Sequence, residues 1–144
     1  MPYTIEEVDG EHYASEINRF NSLAPETFPL LKPNHLTDGH WWLVYHNEIQ
    51  EPVAFAGLVE MQPFHRVGYF KRCYVMPDHV GRGLQLRLMF VRSARARELG
   101  YTQIVSECSP DSHSNHNFRR AGFEQVTPEQ PWGKPGSVYW GKML

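Results

Sequence analysis

The sequence predicts an α/β domain with a central, mostly antiparallel sheet and helices on both faces. Three observations lead to this fold class. Runs rich in β-branched and aromatic residues recur along the chain, as at Trp41–Tyr45. They alternate with stretches whose apolar residues have helical spacing, of which Leu84–Leu99 is the clearest. No repeat or linker interrupts this order, so we expect residues 1–144 to form a single domain.

The first half of the chain predicts one helix, an irregular segment and a hairpin. Glu11–Phe20 has apolar residues at the spacing that lines one helical face. Residues 22–40 contain three prolines and a glycine, which favour a short helix or a loop over a continuous element. Trp41–Tyr45 and Pro52–Met61 are strands by composition, and the polar turn between them predicts an antiparallel hairpin.

The second half predicts a strand, a long helix and several shorter elements. Tyr69–Val75 is a strand by composition, and a loop joins it to the helix Leu84–Leu99, which Gly100 ends. The remaining predicted elements are the strand Tyr101–Glu107, the short helix Asn115–Ala121 closed by Gly122, and the strands Phe123–Val126 and Ser137–Trp140.

Composition and charge exclude several classes of protein. With 41% apolar and 13% aromatic residues, the chain is typical of a folded domain rather than a disordered one. A net charge of -2 gives no overall attraction to nucleic acid or to an anionic membrane. The sequence shows no signal-peptide pattern and no apolar run near the roughly 20 residues of a membrane span, so we expect a cytoplasmic protein. We therefore expect Cys73 and Cys108 to be reduced, partly buried thiols.

A glycine-containing turn separates the strand Tyr69–Val75 from the helix that follows. Its sequence, from Val75 to Gln85, is VMPDHVGRGLQ. Gly81 and Gly83 allow backbone amides to face outward without obstruction by a Cβ, and the positive end of the helix dipole and Arg82 both favour an anion. These features predict a diphosphate site, although the same glycines also suit an ordinary strand-to-helix turn.

Two segments together resemble the signatures of the GNAT acetyltransferases. Val75–Gln85 is similar to the acyl-coenzyme A motif of that family, in which V-x-P precedes a G-x-G turn and a long helix. SPDSHSNHNFRRAGF is similar to the second signature, in which a polar turn and a short helix end in Gly122-Phe123. The two segments lie within Tyr69–Phe123, in the order and at the separation that the family shows.

The resemblance implies a fold, a cofactor and a set of contacts. The fold is that of the acyl-coenzyme A N-acyltransferases, with a splay between the fourth and fifth strands, and the cofactor is acetyl-coenzyme A. The backbone of Cys73 and Val75 is expected to pair with the pantetheine arm. Asn115 and Arg119 or Arg120 are expected contacts farther along the cofactor. The residues expected to hold the diphosphate through their amides are Val80, Gly81, Arg82, Gly83, Leu84 and Gln85.

Four positions depart from the family pattern. Val80 and Gln85 stand where the family usually has Gln or Arg, and Gly or Ala. Phe118 stands where a Tyr near the cofactor thiol commonly acts as the general acid, and Phe has no proton to donate. Tyr69 stands where many members carry a carboxylate. Tyr69, Tyr74 or an ordered water can supply the proton, or the thiolate can leave without a dedicated acid.

The resemblance implies direct transfer of an acetyl group to a primary amine of a small molecule or a protein. Such a reaction needs a base that deprotonates the ammonium. Glu107 is the first candidate because it ends the predicted strand at the expected splay. Glu60, His65 and His113 are the further candidates.

Other interpretations stay open. The departures at Phe118 and Tyr69 are compatible with a non-catalytic acyl-coenzyme A-binding module, and the acidic balance disfavours an acyltransferase acting on a nucleic-acid base. A metal site at His113 and His116 has no diagnostic spacing. Trp132 lies in a Pro/Gly-containing loop and is a candidate wall for the acceptor pocket, with core packing or a homodimer contact as the alternative role of the tryptophans.

Overall fold

The computed structural model describes residues 2–23, 29, 31–64 and 66–144. A 3-10 turn at Pro77–His79 connects the fourth strand with the third helix. The helices are α1 (Ala14–Leu23), α2 (Pro33–Asp38), α3 (Leu84–Glu98) and α4 (Ser114–Arg120). The strands are β1 (Tyr3–Val8), β2 (His40–His46), β3 (Pro52–Glu60), β4 (Val67–Val75), β5 (Gln103–Cys108), β6 (Glu124–Val126) and β7 (Val138–Met143).

The strands are hydrogen-bonded in the order β1-β2-β3-β4-β5-β7-β6. The pairs β1–β2, β2–β3, β5–β7 and β6–β7 are antiparallel. β4 and β5 are parallel, with Val67–Tyr69 facing Gln103–Val105. This mixed, mostly antiparallel sheet with helices confirms the predicted fold class. Across the described ranges, no helix combines the length and apolarity needed to cross a membrane.

The chain divides into two compact units, each made of separate segments. The first comprises Met1–Val59 and Lys71–Leu84, and the second comprises Glu60–Phe70 and Gln85–Leu144. The chain therefore passes between the units three times, and strand β4 contributes to both. Because neither unit is one continuous stretch, the division follows no linear domain boundary. A single domain over residues 1–144 stays a prediction.

An aromatic stack forms the core of the first unit. Phe20 of α1 stacks on Phe55 of β3, with ring centroids 5.4 Å apart. Phe55 also stacks on Trp41 of β2 at 6.1 Å. All three side chains are fully buried. This burial stabilises α1 against the hairpin, which explains why the segment is helical although its amphipathy is moderate.

The second unit is built around α3 and a second set of aromatic rings. The Phe118 ring of α4 lies parallel to Trp140 of β7, with centroids 5.7 Å apart, and meets Phe123 edge-on. Arg92 of α3 is buried, and its guanidinium lies 3.9 Å from the centroid of Phe70. Cation–π contact of this kind favours a buried guanidinium. Buried residues recur every three to four positions along α3, from Leu84 to Ala96, which fits the predicted amphipathic helix.

The structure differs from the predicted elements mainly at the amino terminus. Strand β1 was not predicted, because the charged pair Glu6 and Glu7 obscures the alternation that Tyr3 begins. Helix α1 starts at Ala14 rather than Glu11. The Asp9 carboxylate accepts a hydrogen bond from the His12 amide, and the Asp9 carbonyl accepts one from the Tyr13 amide. These bonds make a turn of the residues that precede the helix.

Candidate functional site

The glycine turn leaves its backbone uncovered. Val80 has an extended backbone (φ -69°, ψ 159°) and an exposed side chain. Gly81 and Gly83 both have left-handed backbones, with φ values of 77° and 76°. A Cβ added at either glycine would meet no atom within 4 Å. The turn therefore needs glycine for its conformation and has room for a ligand where side chains would otherwise stand.

The first turn of α3 is fixed by two side chains. Leu84 is buried and anchors the helix start, which leaves only its backbone for a ligand. The Gln85 side chain is held by α4: its Nε2 donates to Ser114 Oγ at 2.7 Å, and its Oε1 accepts from Asn117 Nδ2 at 2.5 Å. Since both ends of the Gln85 amide are engaged, this side chain links α3 to α4.

A carboxylate with two donors stands at the end of β5. The Tyr69 hydroxyl lies 2.7 Å and 2.6 Å from the two carboxylate oxygens of Glu107 and donates to them. Trp132 Nε1 donates to Oε1 of the same carboxylate at 2.6 Å. All three side chains are half-buried. Tyr69 pairs with Val105, two residues before Glu107, so the pleat puts Tyr69 and Glu107 on one face of the sheet.

The loop that carries Trp132 is packed tightly against the same carboxylate. A Cβ added at Gly133 would lie 2.9 Å from Glu107 Cγ and 3.2 Å from both Ser137 Oγ and the Tyr139 hydroxyl. The Gly133 amide donates to the Tyr139 hydroxyl at 3.1 Å. The Trp132 and Tyr139 rings meet edge-to-face, with centroids 4.7 Å apart. These contacts fix the loop and hold the indole on Glu107.

The residue after Glu107 is a thiol with a structural partner. Cys108 Sγ donates to Asn115 Oδ1 at 3.2 Å, and Trp140 Nε1 donates to the same oxygen at 3.1 Å. Burial raises the pKa of Cys108 to about 11; a hydrogen bond from Trp140 lowers it by a smaller amount, and the nearby Glu107 charge makes the smallest contribution, a further increase. At neutral pH Cys108 is therefore a protonated thiol rather than a nucleophile. Cys73 is likewise a reduced thiol.

Asn115 shapes the turn between β5 and α4. Besides the two bonds that its Oδ1 accepts, its Nδ2 lies 3.0–3.1 Å from three backbone carbonyls. The carbonyls belong to Ser109, Pro110 and Ser112. These contacts engage both ends of the Asn115 amide. The expected contact of Asn115 with the cofactor stays a prediction.

The remaining predicted contacts on α4 differ in exposure. Phe118 is buried between Trp140 and Phe123, so its ring belongs to the core of the second unit. Arg119 is exposed, and its guanidinium lies 5.1 Å from the centroid of a ring of Trp140. His113 is exposed and directly precedes the helix. Their roles toward a cofactor or as a base stay predictions.

Glu60 lies at the opposite end of β5 from Glu107. It ends β3 and accepts a hydrogen bond from Gln62 at 3.0 Å; the amide of the next residue, Met61, donates to the carbonyl of Val67, and Val67 pairs with Gln103. Burial and, after it, the Glu60 charge raise the pKa of Tyr101. Tyr101 comes just before β5 starts at Gln103. A strand advances about 3.3 Å per residue, so the four residues from Gln103 to Glu107 span roughly 13 Å. The structure therefore does not bring Glu60 to Glu107.

The remaining predicted residues belong to β4 and to the segment before it. Cys73 and Val75 are half-buried in β4. His65 lies outside the described residues. Within the described ranges, no group of three or more His, Cys, Asp or Glu side chains is arranged to hold a metal ion.

Two features of the structure were not predicted from the sequence. The first is the hydrogen bond from Trp132 to Glu107, for which the only sequence signal was a tryptophan between a proline and a glycine. The second is the left-handed backbone of Arg72, with φ 60°. Arg72 Nε donates to Asn21 Oδ1 at 2.9 Å, and Nη2 donates to the Pro29 carbonyl at 3.1 Å. Arginine gives no sequence signal for this conformation.

Sequence and structure comparisons were made with known proteins. A sequence profile described as the acetyltransferase (GNAT) family matches residues 6–123. No protein of curated function matches the sequence.

Many solved structures resemble the chain. An acetyltransferase of the GNAT family from Staphylococcus aureus has a TM-score of 0.74 at 17% identity, covering 99% of each chain. A Bacillus subtilis acetyltransferase in complex with CoA has a TM-score of 0.75 at 16% identity, again covering 99% of each chain. The protein yncA from Salmonella typhimurium, with its cofactor acetyl-CoA, has a TM-score of 0.71 at 15% identity, covering 100% of this chain and 95% of that one. At these identities the likeness shows the fold.

Proposed function

The chain belongs to the acetyltransferase (GNAT) family, and from this premise we propose that it transfers an acetyl group from acetyl-coenzyme A directly to a primary amine. The amine belongs to a small molecule or to a protein. Family membership supports acyl transfer in general, and the donor and acceptor are the proposed part. Two of the similar structures contain CoA or acetyl-CoA, which supports that donor.

The observation that carries the proposal is the hydrogen bond between Tyr69 and Glu107. The family position that often holds a carboxylate holds Tyr69 here, and the Tyr69 hydroxyl contacts a carboxylate on the neighbouring strand. We assign Glu107 as the base. It accepts a proton from the acceptor ammonium, either directly or through the Tyr69 hydroxyl, and so leaves a neutral amine.

The residues of the glycine turn fit the diphosphate of acetyl-coenzyme A. Positive φ values at Gly81 and Gly83, and open space where their Cβ atoms would stand, support an anion held by backbone amides from Val80 to Gln85. Arg82 is exposed and adds positive charge. The backbone of Cys73 and Val75 is assigned to the pantetheine arm.

When bound, acetyl-coenzyme A would supply a thioester: the nitrogen of the neutral amine would bond to its carbonyl carbon, the carbon–sulfur bond would break, and the proton that the new amide nitrogen loses would pass to the thiolate or to water. The protein's part is to remove the ammonium proton and to orient the amine. We assign no side chain as the acid for the leaving sulfur, because Phe118 is buried and has no proton to donate. A thiol has a pKa of about 8.5, so the thiolate leaves readily near neutral pH.

A panel of primary amines with acetyl-coenzyme A tests the proposal, with release of free thiol as the readout. We expect thermal stabilisation of the protein by acetyl-coenzyme A and thiol release with at least one class of amine. If acetyl-coenzyme A neither stabilises the protein nor binds in calorimetry, the proposed function is wrong.

The buried Phe118 also favours a second candidate, a module that binds acyl-coenzyme A without turnover. This candidate is supported if acetyl-coenzyme A binds and no amine in a broad panel releases thiol. The cytoplasmic location and a homodimer contact stay predictions.

A further inference from the structure

The Glu107 carboxylate is held by neutral partners. Tyr69 and Trp132 donate through a phenol hydroxyl and an indole N–H, and neither group carries charge. These short bonds orient the carboxylate, but neither of the two donors carries a charge that offsets its own. Because Glu107 is half-buried, that charge is also partly removed from water. A site of this kind favours a cation.

The surroundings of Glu107 favour an organic cation over an inorganic one. The Trp132 and Tyr139 rings pack against each other beside the carboxylate. Aromatic rings bind ammonium groups and the hydrocarbon attached to them. Among the described residues, Glu107 belongs to no group of three or more potential metal ligands, whereas divalent metals require several oxygen ligands.

We propose that the acceptor is an organic ammonium without a carboxylate on the carbon next to its amine. This inference rests on the proposed function and names the acceptor class for that site. An ammonium bonded to Glu107 would hold its own α-carboxylate about 5 Å from the Glu107 charge, where two like charges repel. The phenol and the indole provide no cation that offsets this repulsion. Amines without a carboxylate, and amines whose α-carboxylate is replaced by a carboxamide, carry no negative charge there and avoid this repulsion.

Three matched acceptors test the inference: phenethylamine, phenylalaninamide and phenylalanine. The amide keeps a substituent of similar size to the carboxylate but removes its charge. With kcat/KM expressed per concentration of neutral amine, the pair separates repulsion from steric exclusion. We expect phenethylamine and phenylalaninamide to have kcat/KM values within about tenfold of each other, and phenylalanine to be at least about tenfold poorer than the amide. Equal kcat/KM values for phenylalanine and phenylalaninamide would overturn the inference.

Calorimetry of phenethylamine and phenylalanine binding to the CoA-saturated protein gives a readout independent of turnover. The parent protein should bind phenethylamine at least about tenfold more tightly than phenylalanine, and Glu107→Gln should shrink that ratio toward one. If the ratio is unchanged in a variant that unfolds at the parent's temperature, Glu107 does not set the preference and the inference fails. Since the comparison of ligands on the parent needs no variant, poor folding of Glu107→Gln does not prevent the test.

The two proposals fail in different ways. If phenylalanine is acetylated as efficiently as phenylalaninamide, the proposed acceptor class is wrong, but the proposed acetyltransferase activity is supported. If no acceptor releases thiol but the parent still prefers phenethylamine to phenylalanine, the transferase is wrong and the cation site stands.

Discussion

The glycine turn and the Glu107 site contribute chemistry in opposite ways. The turn from Val80 to Leu84 offers backbone groups from consecutive residues, and its two glycines have no side chains at all. The Glu107 site joins side chains from β4, β5 and the loop before β7: Tyr69 lies 38 positions before Glu107 in the sequence, and Trp132 lies 25 positions after it. A turn of adjacent residues tolerates changes elsewhere in the fold, whereas the carboxylate depends on three segments at once.

This difference predicts separate effects on binding and on turnover. Substitutions in the turn should change the affinity for acetyl-coenzyme A and leave turnover at saturation nearly intact. Substitutions around Glu107 should lower turnover and leave the affinity for acetyl-coenzyme A nearly intact. The comparison fails if the two sets of variants give the same kinetic pattern.

Glu107→Gln should have the largest effect. The amide keeps the shape of the side chain but does not accept the ammonium proton, so turnover should fall by roughly 10²- to 10⁴-fold. Affinity for acetyl-coenzyme A, measured by calorimetry, should stay within about twofold, because this carboxylate has no assigned role toward the diphosphate.

Glu60→Gln is the matched control, because it makes the same change at the other end of β5. A loss of turnover in Glu60→Gln, together with normal turnover in Glu107→Gln, would move the base to Glu60.

The thiol beside Glu107 should be nearly inert. Burial raises the Cys108 pKa from 9.0 to about 11. Below pH 9 the thiolate population should therefore be about 100-fold lower than for an ordinary cysteine. In a Cys73→Ser background, alkylation of the native protein should be slower than in urea by at least this factor. It should also keep rising through pH 10. A native rate that levels off near pH 9 would contradict the raised pKa and return Cys108 to the list of candidate nucleophiles.

Gly83→Ala should weaken acetyl-coenzyme A binding about tenfold. An alanine at φ 76° costs about 1–2 kcal/mol, and the turn relieves that strain by moving its amides. Turnover at saturating acetyl-coenzyme A should change little. Gly100→Ala is the control: its φ is 85° and its added Cβ also meets nothing within 4 Å, but it follows the other end of α3. Equal losses of affinity in both variants would point to general destabilisation instead of the turn.

Local signals made most of the fold predictable from the sequence. Helix α3 runs over Leu84–Glu98 where Leu84–Leu99 was predicted, because its apolar spacing and Gly100 act within a few residues. The hairpin strands and β4 were found within two residues of their predicted ends. β1 was missed because its pairing partner, β2, begins at His40, far along the chain, and its own pattern is interrupted by charge.

In the candidate site too, features set by the local backbone were predictable and features set by distant contacts were not. The left-handed glycines of the turn were predictable because their effect is confined to their own backbone. Tyr69 and Glu107 were each predicted, as a departure from the family and as a base, but their hydrogen bond depends on the β4–β5 register. Trp132 was predicted as a pocket wall, and its bond to Glu107 depends on how a loop of prolines and glycines folds back. Arg72 adopts a conformation that its residue type does not indicate.

Gly133→Ala should have the smallest effect on turnover, and it tests the contact between the loop and the Glu107 side chain. The new Cβ would lie 2.9 Å from Glu107 Cγ, so that side chain or the loop has to shift by a few tenths of an ångström. Misplacing a catalytic group by about 1 Å can lower the rate 10²-fold, so a smaller shift should lower turnover about three- to tenfold while acetyl-coenzyme A affinity is kept.

Gly136→Ala is the control in the same loop: it adds a Cβ that meets nothing within 4 Å but strains a backbone with φ 88°. It should lower the free energy of unfolding by about 1 kcal/mol and leave turnover unchanged. If Gly136→Ala instead lowers turnover as much as Gly133→Ala, mobility of the whole loop rather than contact with Glu107 controls the reaction.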